Sequence, residues 1–168
     1  EQDFSVELLW VNARWDAQMG FVPMLIGNRP LPANHRVERT VCIAAPVDRV
    51  WNLVTDHRGM PKWFPLDTAA LEREGWPAPN GVGAERVMHG PKLNVREQVI
   101  GWDPLRSLDY RLMKGAPISC HQGRVELKPV AGGTELTWSI RYRAKIPGTS
   151  GIVRRAMDKM LGDALPRL

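Results

Sequence analysis

Two ionisable residues sit where the local pattern demands apolar ones. Glu97 lies in Val95-Arg-Glu-Gln-Val99 and His121 in Ser119-Cys-His-Gln-Gly-Arg-Val125, and alternation places each on the apolar side of a strand. On an apolar wall, desolvation raises a carboxyl pKa and lowers an imidazole pKa. Those are the shifts that general acid/base catalysis uses. Tyr110 and Tyr142 share that side and could direct hydroxyls at a ligand carbonyl. A plainer reading stands beside this one. Glu97 pairs with Arg86 or Arg96, His121 satisfies a backbone carbonyl, and each tyrosine bonds to a neighbour or to water, as buried tyrosines do. The parity of segment 83–89 is ambiguous, so the sequence leaves Arg86 either inside or outside.

Other chemistries find little support. His35, His57, His89 and His121 are scattered, with no pair at i, i+4 and no cysteine or carboxylate cluster at metal spacing, so neither a metal nor another cofactor is expected. There is no Gly-x-Ser-x-Gly elbow and no phosphate loop. Arg111, Arg124, Lys128, Arg141, Arg143 and Lys145 share an outer face, but Asp109, Glu126 and Glu135 interrupt them. That pattern reads as a solvated face, with peripheral contact to an anionic membrane second and nucleic acid not expected. Cys42 and Cys120 fall on strands that are not neighbours and read as structural thiols.

The elements that must hold these groups are mostly strands. A first strand over 36–45 sets Val37, Val41 and Ile43 on one face, and Pro46 and Asp48 open a helix whose Val47, Val50, Trp51 and Val54 make one apolar stripe. A second short helix is expected over 56–63. Strands follow at 67–73, 83–89, 92–102, 106–114, 118–129 and 134–146, separated by Gly/Pro/Asp turns. The last strand alternates cleanly, with Leu136, Trp138, Ile140, Tyr142, Ala144 and Ile146 on one side. Ser150 is a candidate cap for a terminal helix with Val153, Ala156, Met157, Met160, Leu161, Ala164 and Leu168 on its apolar face.

Several pieces in this order resemble the START-like superfamily of helix-grip proteins, also called SRPBCC or polyketide cyclase/dehydrase-like. They are Val37-Glu-Arg-Thr-Val-Cys-Ile-Ala-Ala-Pro46 leading into Val50-Trp51, Met60-Pro-Lys-Trp63, Gly81-Val-Gly-Ala-Glu-Arg86, Glu97-Gln-Val-Ile-Gly-Trp-Asp-Pro104 with Leu108-Asp-Tyr110, and Gly132-Gly-Thr-Glu-Leu-Thr-Trp138. The resemblance covers about 36–168 and leaves 1–35 as an N-terminal arm and linker. It implies an α+β helix-grip fold: a curved antiparallel sheet of about seven strands around a long C-terminal helix, with two short helices after the first strand. Members hold lipids, sterols or polyketides between sheet and helix, and share no universal catalytic residue, so membership implies a cavity but not a reaction.

Ligand contacts are therefore expected from Val95, Glu97, Tyr110, Leu112, His121, Trp138, Ile140 and Tyr142 on the strands, with Ser119 on the same side. Met157, Met160 and Leu161 face them from the helix, and Trp63 and Phe64 flank an opening. Binding or transport of a hydrophobic small molecule or lipid ranks first, without chemistry of its own. The alternative is a cyclase, aromatase or dehydratase using Glu97 or His121 in the same cavity, and the third reading is a ligand-free protein-interaction module.

Charge is uneven along the chain. Residues 1–35 hold four acids and two bases, net −2, so the remainder of a +5 chain carries +7. The acidic arm, with Phe4, Trp10, Trp15 and Phe21, is expected to pack on the basic body or on a second copy in a homodimer. The first residue is Glu1, which leaves room for an anchor or signal removed upstream. A cytoplasmic or membrane-associated location fits both possibilities.

Overall fold

The computed structural model describes residues 33–91 and 93–168. Strands β1 (His35–Ile43), β2 (Thr68–Arg73), β3 (Glu85–Gly90), β4 (Leu93–Asp103), β5 (Ser107–Lys114), β6 (Ile118–Val130) and β7 (Gly133–Ala144) form one antiparallel sheet. Its order is β1-β7-β6-β5-β4-β3-β2. Six strands run as a meander, and β1 closes the sheet by pairing with the last strand, Val37 opposite Ile140. Register shifts between Leu71 and Arg73, Arg96 and Glu97, Val99 and Gly101, and Ser119 and Gln122 curve it. Helix α1 (Val47–Thr55) fills the β1–β2 connection, and α2 (Ser150–Ala164) follows β7 and packs on β1 and β7. This is the α+β helix-grip architecture.

Alternation decides which face is core. In β7, Leu136, Trp138, Ile140 and Tyr142 are buried, and each such side chain removed from water contributes about 1.5–3 kcal/mol. Val50, Trp51 and Val54 of α1 close over the same face, Trp51 meeting Trp102 edge-on at 4.8 Å. On the same side of β1 as Val37, Arg39 fixes α2, its Nε and Nη2 donating to the Asp158 carboxylate at 2.8 and 2.7 Å.

Local departures from the sequence pattern have physical causes. The second short helix is a single 3-10 turn, Met60–Lys62. Asp56 accepts the Gly59 N–H at 3.0 Å, and Pro61 and Pro65 bracket a segment too short in amide donors to propagate. Thr149 rather than Ser150 precedes α2, and its hydroxyl bonds back to the Ile146 carbonyl at 2.7 Å. Ile146 lies beyond the end of β7 and is exposed, as is Ala156 on α2. The expectations for the arm lie outside the described residues.

Candidate functional site

The centre of the concave face is charged. Arg86 on β3 stands directly opposite Glu97 on β4 in the strand register, so both side chains leave the sheet on the same side. Arg86 is only 2% exposed. Its Nε and Nη2 both donate to Glu97 Oε2, at 3.0 and 2.7 Å. Its Nη1 points to His57 Nδ1 at 3.0 Å and to Met60 Sδ at 3.6 Å, and its guanidinium carbon lies 4.7 Å from the centre of the Tyr110 ring. A guanidinium out of water needs its donors occupied and its charge balanced; these contacts do both.

His57 completes the cluster from the α1–3-10 connection. Because Nδ1 accepts from Arg86, the ring proton belongs on Nε2, which donates to the Asn80 carbonyl at 3.2 Å. Burial, and then the adjacent guanidinium charge, lower its pKa to about 3. The ring is neutral throughout the physiological range.

Tyr110 links this cluster to an aromatic wall. Its hydroxyl accepts the Trp138 Nε1–H at 2.8 Å. Burial, reinforced by the Glu97 charge, pushes its phenol far above the ordinary range. The ring lies across Gly123 of β6, its register partner, where a Cβ would come within 2.0 Å of the Tyr110 ring carbon Cζ. Only glycine leaves that space. Trp138 in turn packs against Phe64 and Trp63, with ring centres 5.7 and 6.1 Å away. Trp63 Nε1 is buried and has no hydrogen-bond partner among the described residues.

The residues singled out from the sequence divide into three groups. Val95, Glu97, Tyr110, Trp138, Ile140 and Tyr142 point inward as expected and are buried. Leu112, His121, Met157 and Met160 also turn inward but are half-buried, whereas Leu161 of α2 is fully enclosed. Trp63 and Phe64, expected at an opening, instead lie in the core at 2% and 4% exposure, because Trp138 offers them an aromatic surface. Ser119 turns outward: it pairs with Arg143 while Ile118 pairs with Ala144, and Cys120 with φ 50° reverses the alternation before His121.

Glu97 and His121 have different hydrogen-bond partners. Glu97 is engaged by Arg86, whereas His121 Nδ1 accepts the Leu112 backbone N–H at 3.1 Å and its ring sits 5.6 Å from Tyr110. Burial lowers the His121 pKa against a smaller opposing pull from Glu97. Sequence reasoning passed over His57 and left Arg86 undecided. The signal for Arg86 was present, since Ala84, Arg86 and Met88 alternate with Glu85 and His89. For His57, lying in a connection, there was none.

Away from this face, an open recess of about 540 Å³ lies at the β4–β5 and β6–β7 end of the sheet, among Arg106, Arg124, Glu126, Lys128, Glu135 and Thr137. Among the described residues there is no cluster of histidine, cysteine and carboxylates that could hold a metal, and no helix long and apolar enough to cross a membrane.

Comparison with known proteins agrees with this architecture. A START superfamily protein from Mycobacterium smegmatis superposes with a TM-score of 0.69 at 16% identity, covering 79% of this chain and 93% of its own. A protein from Thermobifida fusca gives 0.67 at 25% identity, covering 79% and 89%. DynU16, from the dynemicin biosynthetic locus, gives 0.57 at 25% identity, covering 79% of this chain and 45% of its own. No curated protein matches the sequence. The sequence model for polyketide cyclase/dehydrase and lipid transport proteins matches residues 34–168, the whole of the sheet and both helices. With that match and this fold, the chain belongs to the polyketide cyclase/dehydrase and lipid transport family.

Proposed function

We propose that the protein binds a hydrophobic small molecule or lipid between the concave face of the sheet and α2, with its oxygen-bearing end towards Trp63 and its apolar part along Trp138, Leu112, Met157 and Met160. The observation that carries this reading is the Trp63 indole N–H, enclosed by aromatic rings and unpartnered among the described residues. A buried donor without an acceptor costs about 1–3 kcal/mol, and a ligand carbonyl or hydroxyl oxygen would remove that cost. The half-buried methionines support it, because flexible thioether chains adapt to a guest.

Native mass spectrometry of the protein purified from its own host identifies any ligand carried along. Binding is then read with a pair of apolar fluorescent probes, one bearing a ketone and one a pure hydrocarbon. Trp63→Phe keeps the ring and removes the donor, so it should weaken the ketone probe about tenfold and leave the hydrocarbon unchanged. Equal binding of the ketone probe by both forms would sink the assignment. Trp138→Ala should weaken both probes and destabilise the fold by about 3–5 kcal/mol.

A second reading is a cyclase- or dehydratase-type enzyme in the same place. It rests on His121, half-buried on the inward face, and not on His57, whose Nδ1 lone pair is taken by Arg86 and whose pKa near 3 makes it too weak a base. The likeness to DynU16, a protein of a biosynthetic locus, supports it. His121→Phe separates the two: an acid/base enzyme loses about 10²–10⁴ in rate, whereas a carrier keeps its affinity within about tenfold.

A further inference from the structure

One end of the sheet presents apolar side chains and cations together. The β5–β6 turn and the β7–α2 turn lie side by side there, since Ile118 pairs with Ala144 and the Lys145 N–H donates to the Pro117 carbonyl at 3.0 Å. Met113 at the end of β5, Ile146 in the β7–α2 turn and Ile152 in the first turn of α2 are 45%, 53% and 72% exposed. Three large apolar side chains left in water at one edge are unfavourable unless something covers them.

The charge around them identifies the cover. Segments 111–121 and 141–157 carry two and five Lys/Arg respectively, seven in all, and not one Asp or Glu. Elsewhere many of the cations are partnered, among them Arg39 with Asp158, Arg73 with Glu85, Arg86 with Glu97, Arg124 with Asp109 and Lys159 with Asp163. Among the described residues, no carboxylate forms an ion pair with Lys114, Lys145 or Arg155. A surface that combines inserted apolar side chains with unbalanced cations matches an anionic bilayer, whose interface accepts the first and whose headgroups attract the second.

We infer that the edge formed by the β5–β6 turn, the β7–α2 turn and the first turn of α2 is a docking surface for an anionic lipid membrane. Met113, Ile146 and Ile152 enter the headgroup layer, and Lys114, Lys145 and Arg155 meet lipid phosphates. The half-buried Leu112, Ala116, Val153 and Met157 pack on the core behind this edge, so docking brings the junction of sheet and α2 up to the bilayer. The docking itself requires no internal ligand.

The test is sedimentation of the full chain with vesicles of phosphatidylcholine alone and with one quarter phosphatidylglycerol. The full chain should bind only the anionic vesicles and be released as salt rises from about 0.05 to about 0.5 M, where screening shortens to a few ångströms. Lys145→Gln with Arg155→Gln should lower the partition coefficient about thirtyfold, each cation being worth about fivefold near such a surface. Ile146→Glu with Ile152→Glu should abolish binding, and both residues are exposed enough that folding is checked simply by an unchanged melting curve. Failure of the full chain to bind anionic vesicles, or binding unchanged in both variants, overturns the inference. A concentration-dependent dimer that the isoleucine variant disperses, in place of vesicle binding, would reassign the edge to a second copy. Probe binding measured without vesicles reports on the internal ligand separately, so the two readings fail independently.

Discussion

The centre of the concave face and the basic edge handle positive charge in opposite ways. At the centre, Arg86 is stripped of water, and nearly everything around it answers that cost: the Glu97 carboxylate, an imidazole forced to be neutral, a thioether and the face of a tyrosine ring. At the edge, Lys114, Lys145 and Arg155 remain in water and need no protein partner. Burial makes a charge dependent on its neighbours, whereas exposure leaves it available to something outside the molecule. The same residue types therefore serve cohesion in one region and contact in the other.

Breaking the central pair should have the largest effect. Arg86→Met leaves Glu97 buried and unpaired, and should destabilise the fold by about 3–5 kcal/mol. Glu97→Met should do the same from the other side. The double variant should recover most of the loss, because two apolar side chains of similar length replace both charges at once. Chemical denaturation of the four forms measures the coupling. A double variant no better than either single one would mean that His57 and Tyr110 depend on the pair for more than charge balance.

The same contrast predicts acid sensitivity. His57 has a folded pKa near 3, below the ordinary value of 6.5, so between those limits the unfolded chain binds the proton that the folded chain refuses. Its contribution is fully present above about pH 6.5 and is lost as pH falls towards 3, a change of a few kcal/mol. His121, also lowered by burial, acts in the same direction. Asp109, whose carboxyl burial pushes up despite Arg124, works against them at the acid end. Denaturation midpoints should therefore fall steadily from pH 7 to pH 4, and His57→Asn should flatten that slope. An unchanged slope in the variant would place the acid sensitivity elsewhere.

Strand alternation made the scaffold readable. In β7 the pattern Leu136, Trp138, Ile140, Tyr142 has one solution, because a slip of one residue would turn all four into water. The resemblance of segments 37–46, 97–104 and 132–138 to helix-grip proteins supplied what alternation cannot, a single curved sheet around a long C-terminal helix, whereas the pairing of β1 with the last strand emerges only from the structure. What sequence reading lost were features that interrupt a period. Cys120 adopts a left-handed conformation and shifts the register between Ser119 and Gln122, so a parity carried along the strand puts Ser119 on the wrong side. His57 belongs to no periodic element and reaches the core only through the turn around Gly59. The role of Gly123 is likewise invisible without knowing that Tyr110 lies opposite it. The candidate site was thus half legible: its apolar walls follow from period two, while its charged centre depends on long-range neighbours.

The smallest effect should come from the edge, and its smallness is informative. Lys145→Gln with Arg155→Gln should change stability by no more than about 0.5 kcal/mol, as expected for exposed residues without partners. The sign should be stabilising at low salt, since seven like charges in two adjacent segments repel one another and removing two relieves that repulsion. The gain should vanish at about 0.5 M salt, where the screening length falls well below the spacing of the side chains. Thermal melting at the two salt concentrations reads both the sign and its disappearance. A loss above about 1 kcal/mol at low salt would mean that these cations hold an internal partner after all. The source to examine would then be the acidic arm, whose Glu1, Asp3, Glu7 and Asp16 carry the complementary charge. Shortening the chain to begin at Pro30 should in that case reproduce the same loss, whereas for a solvent-facing edge the shortened and full chains should respond identically to the two substitutions.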